Sequence, residues 1–358
     1  MSYPGHMVRT QILGLGSYVP ERIVDNHELP FLNDQHVRQP SPQIETSDVW
    51  IQKRTGIQRR RYVPNDGSTA TSDLALQAAR RALADAGVEA NDIDCIIFGT
   101  LSPDFHFPGT GVLLQRKLGI AERTNCACFD IRQQCSAFVY GLQMADAFVR
   151  TGMYRRVLLV GAELHSHSLD FSTRGRDVTV LFGDGAGAMV LGPMESDDPR
   201  QGVIYTSAHA DGTGAMDLCL KIFDIAHLPY VDYDARDRSE NHMMYPHMEG
   251  KRVYLNAVRG MVMSTQAALA KTGLGWDDIQ WFVPHQANLR INEKVAEVAN
   301  IPRDKVLNSI EHYGNTTAAS VPLTLDHWRQ QGKVKRGDRI LSSVFGSGFT
   351  WGAAIFTF

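Results

Sequence analysis

No stretch of this chain approaches the roughly 18 to 20 consecutive apolar residues that a membrane span requires. The opening MSYPGHMVRT has neither an apolar h-region nor a small-residue cleavage site. Neither a membrane protein nor a secretory signal is expected, and Met1 to Met7 have no expected structural role. Charge of one sign is also lacking: 36 Lys+Arg against 39 Asp+Glu give a formal -3. That balance offers no general attraction to nucleic acid or to an anionic membrane. The five cysteines are odd in number and scattered, so they do not read as a disulfide framework, and a reducing cytoplasm is the expected setting. Low-complexity sequence is absent, and so is a G-x-x-x-x-G-K-[ST] phosphate loop. What is present is an ordinary globular composition, 43% hydrophobic and 21% charged over 358 residues, enough to bury a large core.

The chain also repeats itself. ALADAGVEANDI (82–93) aligns without gaps on ALAKTGLGWDDI (268–279), with six of twelve positions identical; chance gives roughly one. Each segment ends a predicted helix at a glycine suited to a C-cap, Gly87 or Gly273, and then enters an apolar strand, CIIFGT or WFVPHQ. Each half then continues through a helical run and a further strand, and closes on a glycine-rich turn feeding a strand. Those closing segments are FGDGAGAMVLG (182–192) and GSGFTWGAAIF (346–356). The pattern predicts two βαβ-rich halves around a shared core, residues 8–192 and 203–358, with ligands where the halves meet. Two stretches read as insertions, Leu29 to Ser47 and Asp217 to Gly250, of the kind that form functional loops, lids or partner surfaces.

Three segments carry reactive residue types in chain order: Cys135 in DIRQQCSAF, His285 in VPHQANLRI and Asn315 in HYGNTTAAS. A soft nucleophile, an imidazole and a neutral amide donor suit chemistry on a thioester. Cys135 directly precedes the helical run SAFVYGLQMADAF, so it is expected at a helix N-terminus, where the macrodipole lowers a thiol pKa. His165, His167 and the His242/His247 pair are metal-ligating types, but no carboxylate or cysteine spacing completes a site, and no metal is expected.

From about Ile12 to Phe358 the chain resembles the beta-ketoacyl-acyl-carrier-protein synthase III family of thiolase-fold condensing enzymes. The resemblance is carried by GLGSYVPER, DVWIQKRTGI (48–57), Cys135 before its helix, LFGDGAGAMVLG, VPHQANLRI, GNTTAAS and GSGFTWG, spaced in the same order. It implies a five-layered αβαβα fold built from two duplicated halves, a homodimer, and decarboxylative Claisen condensation of an acyl-CoA primer with malonyl-ACP. No cofactor is implied beyond the CoA and carrier thioesters. The implied catalytic set is Cys135, His285 and Asn315. Cys135 would hold the acyl group while the other two donate hydrogen bonds to the enolate left by loss of CO2.

The resemblance further implies an oxyanion hole from the backbone N–H groups of Cys135 and Gly348. It places Trp50 and Arg54 around the adenine of CoA, Arg176 near the same base, and Asn288 along the pantetheine tunnel. Phe107, in DFHFPGTG, falls where the family builds its acyl pocket, partly across the dimer interface. Arg290 and Lys294 lie four apart, on one helix face. With Lys251 and Arg252 they form a candidate basic patch for the acidic carrier protein.

Two departures leave the primer open between acetyl, short branched and medium chains. Arg132-Gln133-Gln134 precedes the nucleophile where the housekeeping enzymes carry small residues, and Ser136-Ala137 follows it rather than Ala-Gly. An alternative is a ketosynthase-like acyltransferase of specialised, polyketide-type metabolism with a different acceptor. A papain-like Cys-His-Asn hydrolase is disfavoured, because its C-G-[SA]-C-[WY] signature is missing and the half-chain repeat does not suit it.

Overall fold

The computed structural model describes residues 8–122, 125–222 and 243–358. Met1 to Met7, His242 and most of the second insertion lie outside the described residues. In chain order the strands are β1 (Val8–Tyr18), β2 (Arg22–Asp25), β3 (Arg59–Tyr62), β4 (Cys95–Gly99), β5 (Ala127–Ile131), β6 (Val157–Glu163) and β7 (Gly185–Glu195). They continue as β8 (Val203–Ala210), β9 (Leu218–Cys219), β10 (His247–Met248), β11 (Trp281–Pro284), β12 (Arg339–Gly346) and β13 (Thr350–Thr357). The α-helices are α1 (Asp48–Thr55), α2 (Thr71–Ala86), α3 (Thr110–Lys117), α4 (Ala137–Thr151) and α5 (Arg176–Thr179). Beyond the second insertion come α6 (Gly250–Thr272), α7 (Leu289–Val298), α8 (Ile310–Tyr313) and α9 (Ser320–Gln330).

Two sheets repeat one topology. The first has the order β1-β7-β6-β4-β5, and the second, from the equivalent end, β8-β13-β12-β11. In each, a parallel pair (β4 with β6, β11 with β12) is extended by two antiparallel strands. The copies differ at one edge. β5 pairs with β4 along its whole length, whereas the equivalent place in the second sheet holds a single bridge between Phe282 and Val306. The glycines expected to end the duplicated helices do so in left-handed conformation, Gly87 at φ +60 and Gly273 at φ +67.

Helices α4 and α9 lie between the sheets, α2 covers the outer face of the first, and α6 and α7 cover the second. The result is five layers, αβαβα. One apolar cluster runs through the centre, joining Phe138 and Leu142 of α4, Val321 and Leu325 of α9, and strand residues of both sheets. Each such side chain contributes about 1.5–3 kcal/mol by leaving water. α4 can be apolar around most of its circumference because both flanks meet sheet. Its N-terminus, and the turn leading into α9, are thereby held at the seam between the sheets.

The first insertion folds over the first half. Leu29, Leu32 and Ile44 are fully buried against Ile51, Tyr62, Leu169 and Phe171. His36 Nε2 lies 2.9 Å from the carbonyl of Ser166, and Thr173 Oγ1 accepts from the N–H of Glu45. In the second insertion β9 pairs with β10, bracketing its undescribed middle. Among the described residues no helix is long and apolar enough to cross a membrane.

Candidate active site

A cavity of about 950 Å³ opens at the seam of the two sheets, and Cys135, His285, Asn315 and Gly348 all line it. Cys135 sits in a short 3-10 turn, Gln134–Ser136, that runs directly into α4. The expected helix N-terminus is there, but the expected low thiol pKa is not. Burial, reinforced by the nearby Glu163 carboxylate, pushes the thiol up to about 12, while a hydrogen bond from Thr317 pulls the other way. Burial in the dry pocket thus opposes the helix dipole at this sulfur and favours the thiol.

His285 follows β11, and its backbone N–H donates to Ser343 at 2.9 Å. Its Nδ1 lies 2.7 Å from Ser320 Oγ at the start of α9. Nε2 is buried without a hydrogen-bond partner among the described residues, and burial lowers the ring pKa to about 3, so the imidazole is neutral. When the Ser320 hydroxyl donates to Nδ1, Nε2 carries the proton and becomes a donor into the cavity. Asn315 is pinned by its backbone, donating to Leu181 at 2.8 Å and accepting from Gly183 at 3.1 Å. Its Oδ1 accepts from the Thr317 N–H at 2.8 Å. The amide can therefore offer Nδ2 as a second donor. Gly348 adopts φ +126, a conformation closed to side-chain-bearing residues, which leaves its backbone accessible at the cavity wall.

At the cavity mouth the guanidinium carbons of Arg54 and Arg176 lie over the Trp50 ring, 4.4 and 4.8 Å from its centre. Arg176 is further tied to the first insertion, donating to the carbonyl of Glu45 at 3.1 Å. Asn288 caps α7 by accepting from the Arg290 N–H at 2.9 Å, and its Nδ2 donates to the Arg54 carbonyl at 3.1 Å. Trp50, Arg54 and Asn288 line the cavity, whereas Arg176 only flanks it.

Phe107 departs from expectation: it is 78% exposed on the loop after β4 and does not line the cavity of its own chain. Of the basic residues, Lys251 and Arg252 begin α6 while Arg290 and Lys294 share a face of α7. Two of these cations are already paired, Arg252 with Asp217 at 3.1 Å and Lys294 with Glu297 at 2.8 Å. Among the described residues no group of three or more His, Cys, Asp or Glu side chains is placed to hold a metal. His165 is instead buried with Nε2 2.7 Å from Thr317 Oγ1, and His242 lies outside the described residues.

Three residues next to the site were not anticipated from the sequence: Glu163, Thr317 and Ser320. Glu163, fully buried at the end of β6, accepts from Leu101 N–H at 3.1 Å, Ser102 N–H at 3.2 Å, Ser102 Oγ at 2.7 Å and Thr100 Oγ1 at 3.1 Å. Burial raises its pKa to about 7 in spite of these donors. Thr317 is held at φ +50, which for a β-branched residue costs roughly 1–3 kcal/mol. Only the serine and threonines of GNTTAAS hinted at such wiring; their partners lie far away in the sequence.

Residues 129–212 match the family described as 3-Oxoacyl-[acyl-carrier-protein (ACP)] synthase III, and residues 269–358 match its C-terminal counterpart. A Beta-ketoacyl-[acyl-carrier-protein] synthase III of Hyphomonas neptunium is 42% identical over 349 residues, covering 97% of this chain and 98% of that protein. The crystal structure of 3-oxoacyl-[acyl-carrier-protein] synthase III from Aquifex aeolicus VF5 superposes with a TM-score of 0.82 at 36% identity, covering 98% of this chain and 100% of that one. The priming beta-ketosynthase of the R1128 polyketide pathway gives a TM-score of 0.84 at 31% identity, covering 100% and 98%. Fold and relatives together define an acyltransferase of the thiolase-fold condensing class. Within that class, the chain belongs to the beta-ketoacyl-[acyl-carrier-protein] synthase III family.

Proposed function

We propose that this chain joins an acyl-CoA primer to malonyl-ACP in fatty acid biosynthesis, through an acyl group carried on Cys135. The observation that carries the reading is the meeting of the Cys135 sulfur, an unpartnered His285 Nε2 and the Asn315 amide around one buried cavity. In the first step the sulfur bonds to the primer carbonyl, the CoA carbon–sulfur bond breaks, and the thiol proton leaves on CoA. The Cys135 and Gly348 N–H groups stabilise the tetrahedral oxyanion. In the second, the malonyl thioester loses CO2 and its enolate oxygen accepts from His285 Nε2 and Asn315 Nδ2. The enolate carbon then attacks the acyl-Cys carbonyl, forming the carbon–carbon bond as the carbon–sulfur bond breaks; the released thiolate takes up a proton from solvent to return the thiol. Neither donor carries a negative charge, which would oppose the enolate.

In this reading the nucleophile comes from the half spanning 8–192 and the two donors from the half spanning 203–358. Adenine stacks on Trp50 once Arg54 swings off the ring, with Arg176 beside it and Asn288 along the pantetheine path. Arg290 and Lys251, with Arg252 and Lys294 released from their carboxylates, receive the acidic carrier protein. The protein works in the cytoplasm as a homodimer, paired along the open edge of β5. There Phe107, exposed in one subunit, reaches the acyl pocket of the other. No cofactor is needed beyond the two thioesters. A specialised-metabolism acceptor is the weaker reading, since relatives at 42% identity are named beta-ketoacyl-[acyl-carrier-protein] synthase III and the polyketide priming enzyme stands at 31%.

Intact-protein mass spectrometry after mixing with acyl-CoAs of increasing chain length tests the proposal. Wild type gains the acyl mass, Cys135→Ala does not, and the chain-length profile reports the primer. An adduct formed at the same rate in the alanine variant refutes the mechanism.

A further inference from the structure

The two N–H groups assigned to the oxyanion hole come from different halves of the chain. Cys135 sits in the turn Gln134–Ser136, while Gly348 sits in the turn that joins β12 to β13. The residues on either side of Cys135 bind the residues on either side of Gly348. Ser347 Oγ donates to Gln134 Oε1 at 3.0 Å, across 213 positions of sequence. Ser136 Oγ donates to the Thr350 carbonyl at 2.9 Å, across 214 positions. We propose that Gln134 is a positioning residue, with Ser136 as a second tie: through Ser347 and Thr350 they hold the Gly348 turn against the Cys135 turn and so fix the spacing of the oxyanion donors. This rests on the reading of Cys135 and Gly348 as those donors.

The contact is close and leaves little slack. A Cβ on Gly346 would lie 3.2 Å from the Gln133 carbonyl oxygen and from the Ser136 nitrogen, so the end of β12 already abuts the Cys135 turn. Ser136 is fully buried. With its own proton committed to the Thr350 carbonyl, it remains an acceptor for Thr350 Oγ1, 3.1 Å away. The same Thr350 hydroxyl reaches the Ser347 carbonyl at 3.1 Å, which closes the Gly348 turn on itself. On its far side that turn is anchored to its own half, where Phe349 and Asp211 exchange backbone hydrogen bonds of 2.6 and 2.8 Å. Gln134 is held at φ +42, a conformation that a side-chain-bearing residue keeps only where its surroundings enforce it.

Attack on a thioester carbonyl is sensitive to this spacing. Donors stabilise a developing oxyanion from about 2.7–3.1 Å, and such a constellation has to be held to within about 0.5 Å. Gln134 and Ser347 both line the cavity, yet the Ser347 proton is spent on Gln134 and not left for a ligand. Gln134 and Ser136 are also two of the positions at which the sequence departs from the housekeeping pattern. An alanine at either place has no group with which to make these bonds. The ties therefore belong to this chain's own nucleophile segment.

The test compares two reactions of the same sulfur, both followed by intact mass with Cys135→Ala as blank. Acylation by acyl-CoA passes through a tetrahedral oxyanion, whereas alkylation by iodoacetamide displaces iodide and forms none. Gln134→Met keeps the side-chain length and removes the acceptor; Ser347→Ala removes the donor. Each should slow acylation at saturating acyl-CoA roughly tenfold, with the half-saturating concentration and the alkylation rate within about twofold of wild type. The double variant should be no slower than the slower single variant, and Ser136→Ala should slow acylation in the same selective way. Unchanged acylation in Gln134→Met, equal slowing of acylation and alkylation, or additive losses in the double variant overturns the proposal. Should Gln134→Met not fold, Ser347→Ala decides by the same comparison. If wild type gains no acyl mass, or Cys135→Ala still gains it, the reading of the nucleophile falls first and this proposal with it.

Discussion

Replacing Asn315 by aspartate separates the two half-reactions. The residue is 4% exposed, and its Oδ1 already accepts from the Thr317 N–H at 2.8 Å. An aspartate keeps that acceptor and the turn it holds, and exchanges only the donor Nδ2 for an oxygen. Alanine is the poorer probe because it also releases Thr317. Loss of one preorganised donor to a developing oxyanion costs about 2.7–4 kcal/mol, or 10²–10³ in rate. The ionised carboxylate adds repulsion to an enolate forming beside it. Acyl adduct formation should stay within a few-fold of wild type by mass spectrometry. CO2 release from malonyl thioester, and condensation with it, should fall by roughly 10²–10³ at pH 8. The loss should shrink as the pH is lowered, because burial raises a carboxyl pKa and the protonated acid can donate again. Undiminished CO2 release at pH 8, or an equal loss of acylation and condensation, refutes the assignment of Asn315 to the enolate.

Other outcomes follow from the same geometry. Trp50→Ala should raise KM for acyl-CoA by roughly tenfold with kcat little changed, the size of one base–aromatic stack. A truncated pantetheine thioester without adenine should not distinguish it from wild type; an equal KM effect on both substrates counts against adenine stacking. Glu163 predicts a pH signature in stability. Its folded pKa is raised from 4.5 to about 7, so the folded state binds the proton more tightly between those values. Its contribution is therefore fully present below about pH 4.5 and lost as the pH rises through 7. Measured by urea unfolding, wild type should gain up to about 3 kcal/mol relative to Glu163→Gln as the pH falls from 8 to 5. A stability difference independent of pH refutes it.

The architecture was largely legible in one dimension because it is periodic and repeated. Matched helix ends at Gly87 and Gly273, followed by matched strands, could be aligned without knowing any contact. Cys135, His285 and Asn315 were legible because each lies in a dense local motif. What escaped depends on distance in space. The thiol shift could not be read from a helix N-terminus alone, since burial by residues of both halves reverses its sign. Glu163 looks like any strand-ending acid until Thr100, Leu101 and Ser102, more than sixty positions away, converge on it. His165 suggested a metal ligand through its spacing from His167, yet its partner is Thr317, 152 positions away. Phe107 shows the converse: a position aligned to a pocket is solvent-facing in a single chain because that wall belongs to the dimer we propose.

The unequal edges of the two sheets bear on assembly. A perfectly duplicated unit would present two equivalent strand edges at opposite ends and could add copies indefinitely, in the manner of a fibril. Here one end offers the five residues of β5, while the other has dwindled to the bridge between Phe282 and Val306. Pairing through β5 about a two-fold axis uses the full-length edge of both partners at once. In the dimer we propose, erosion of one copy of the repeat would thus make association self-terminating, and the symmetry lost inside the chain would reappear between two of them.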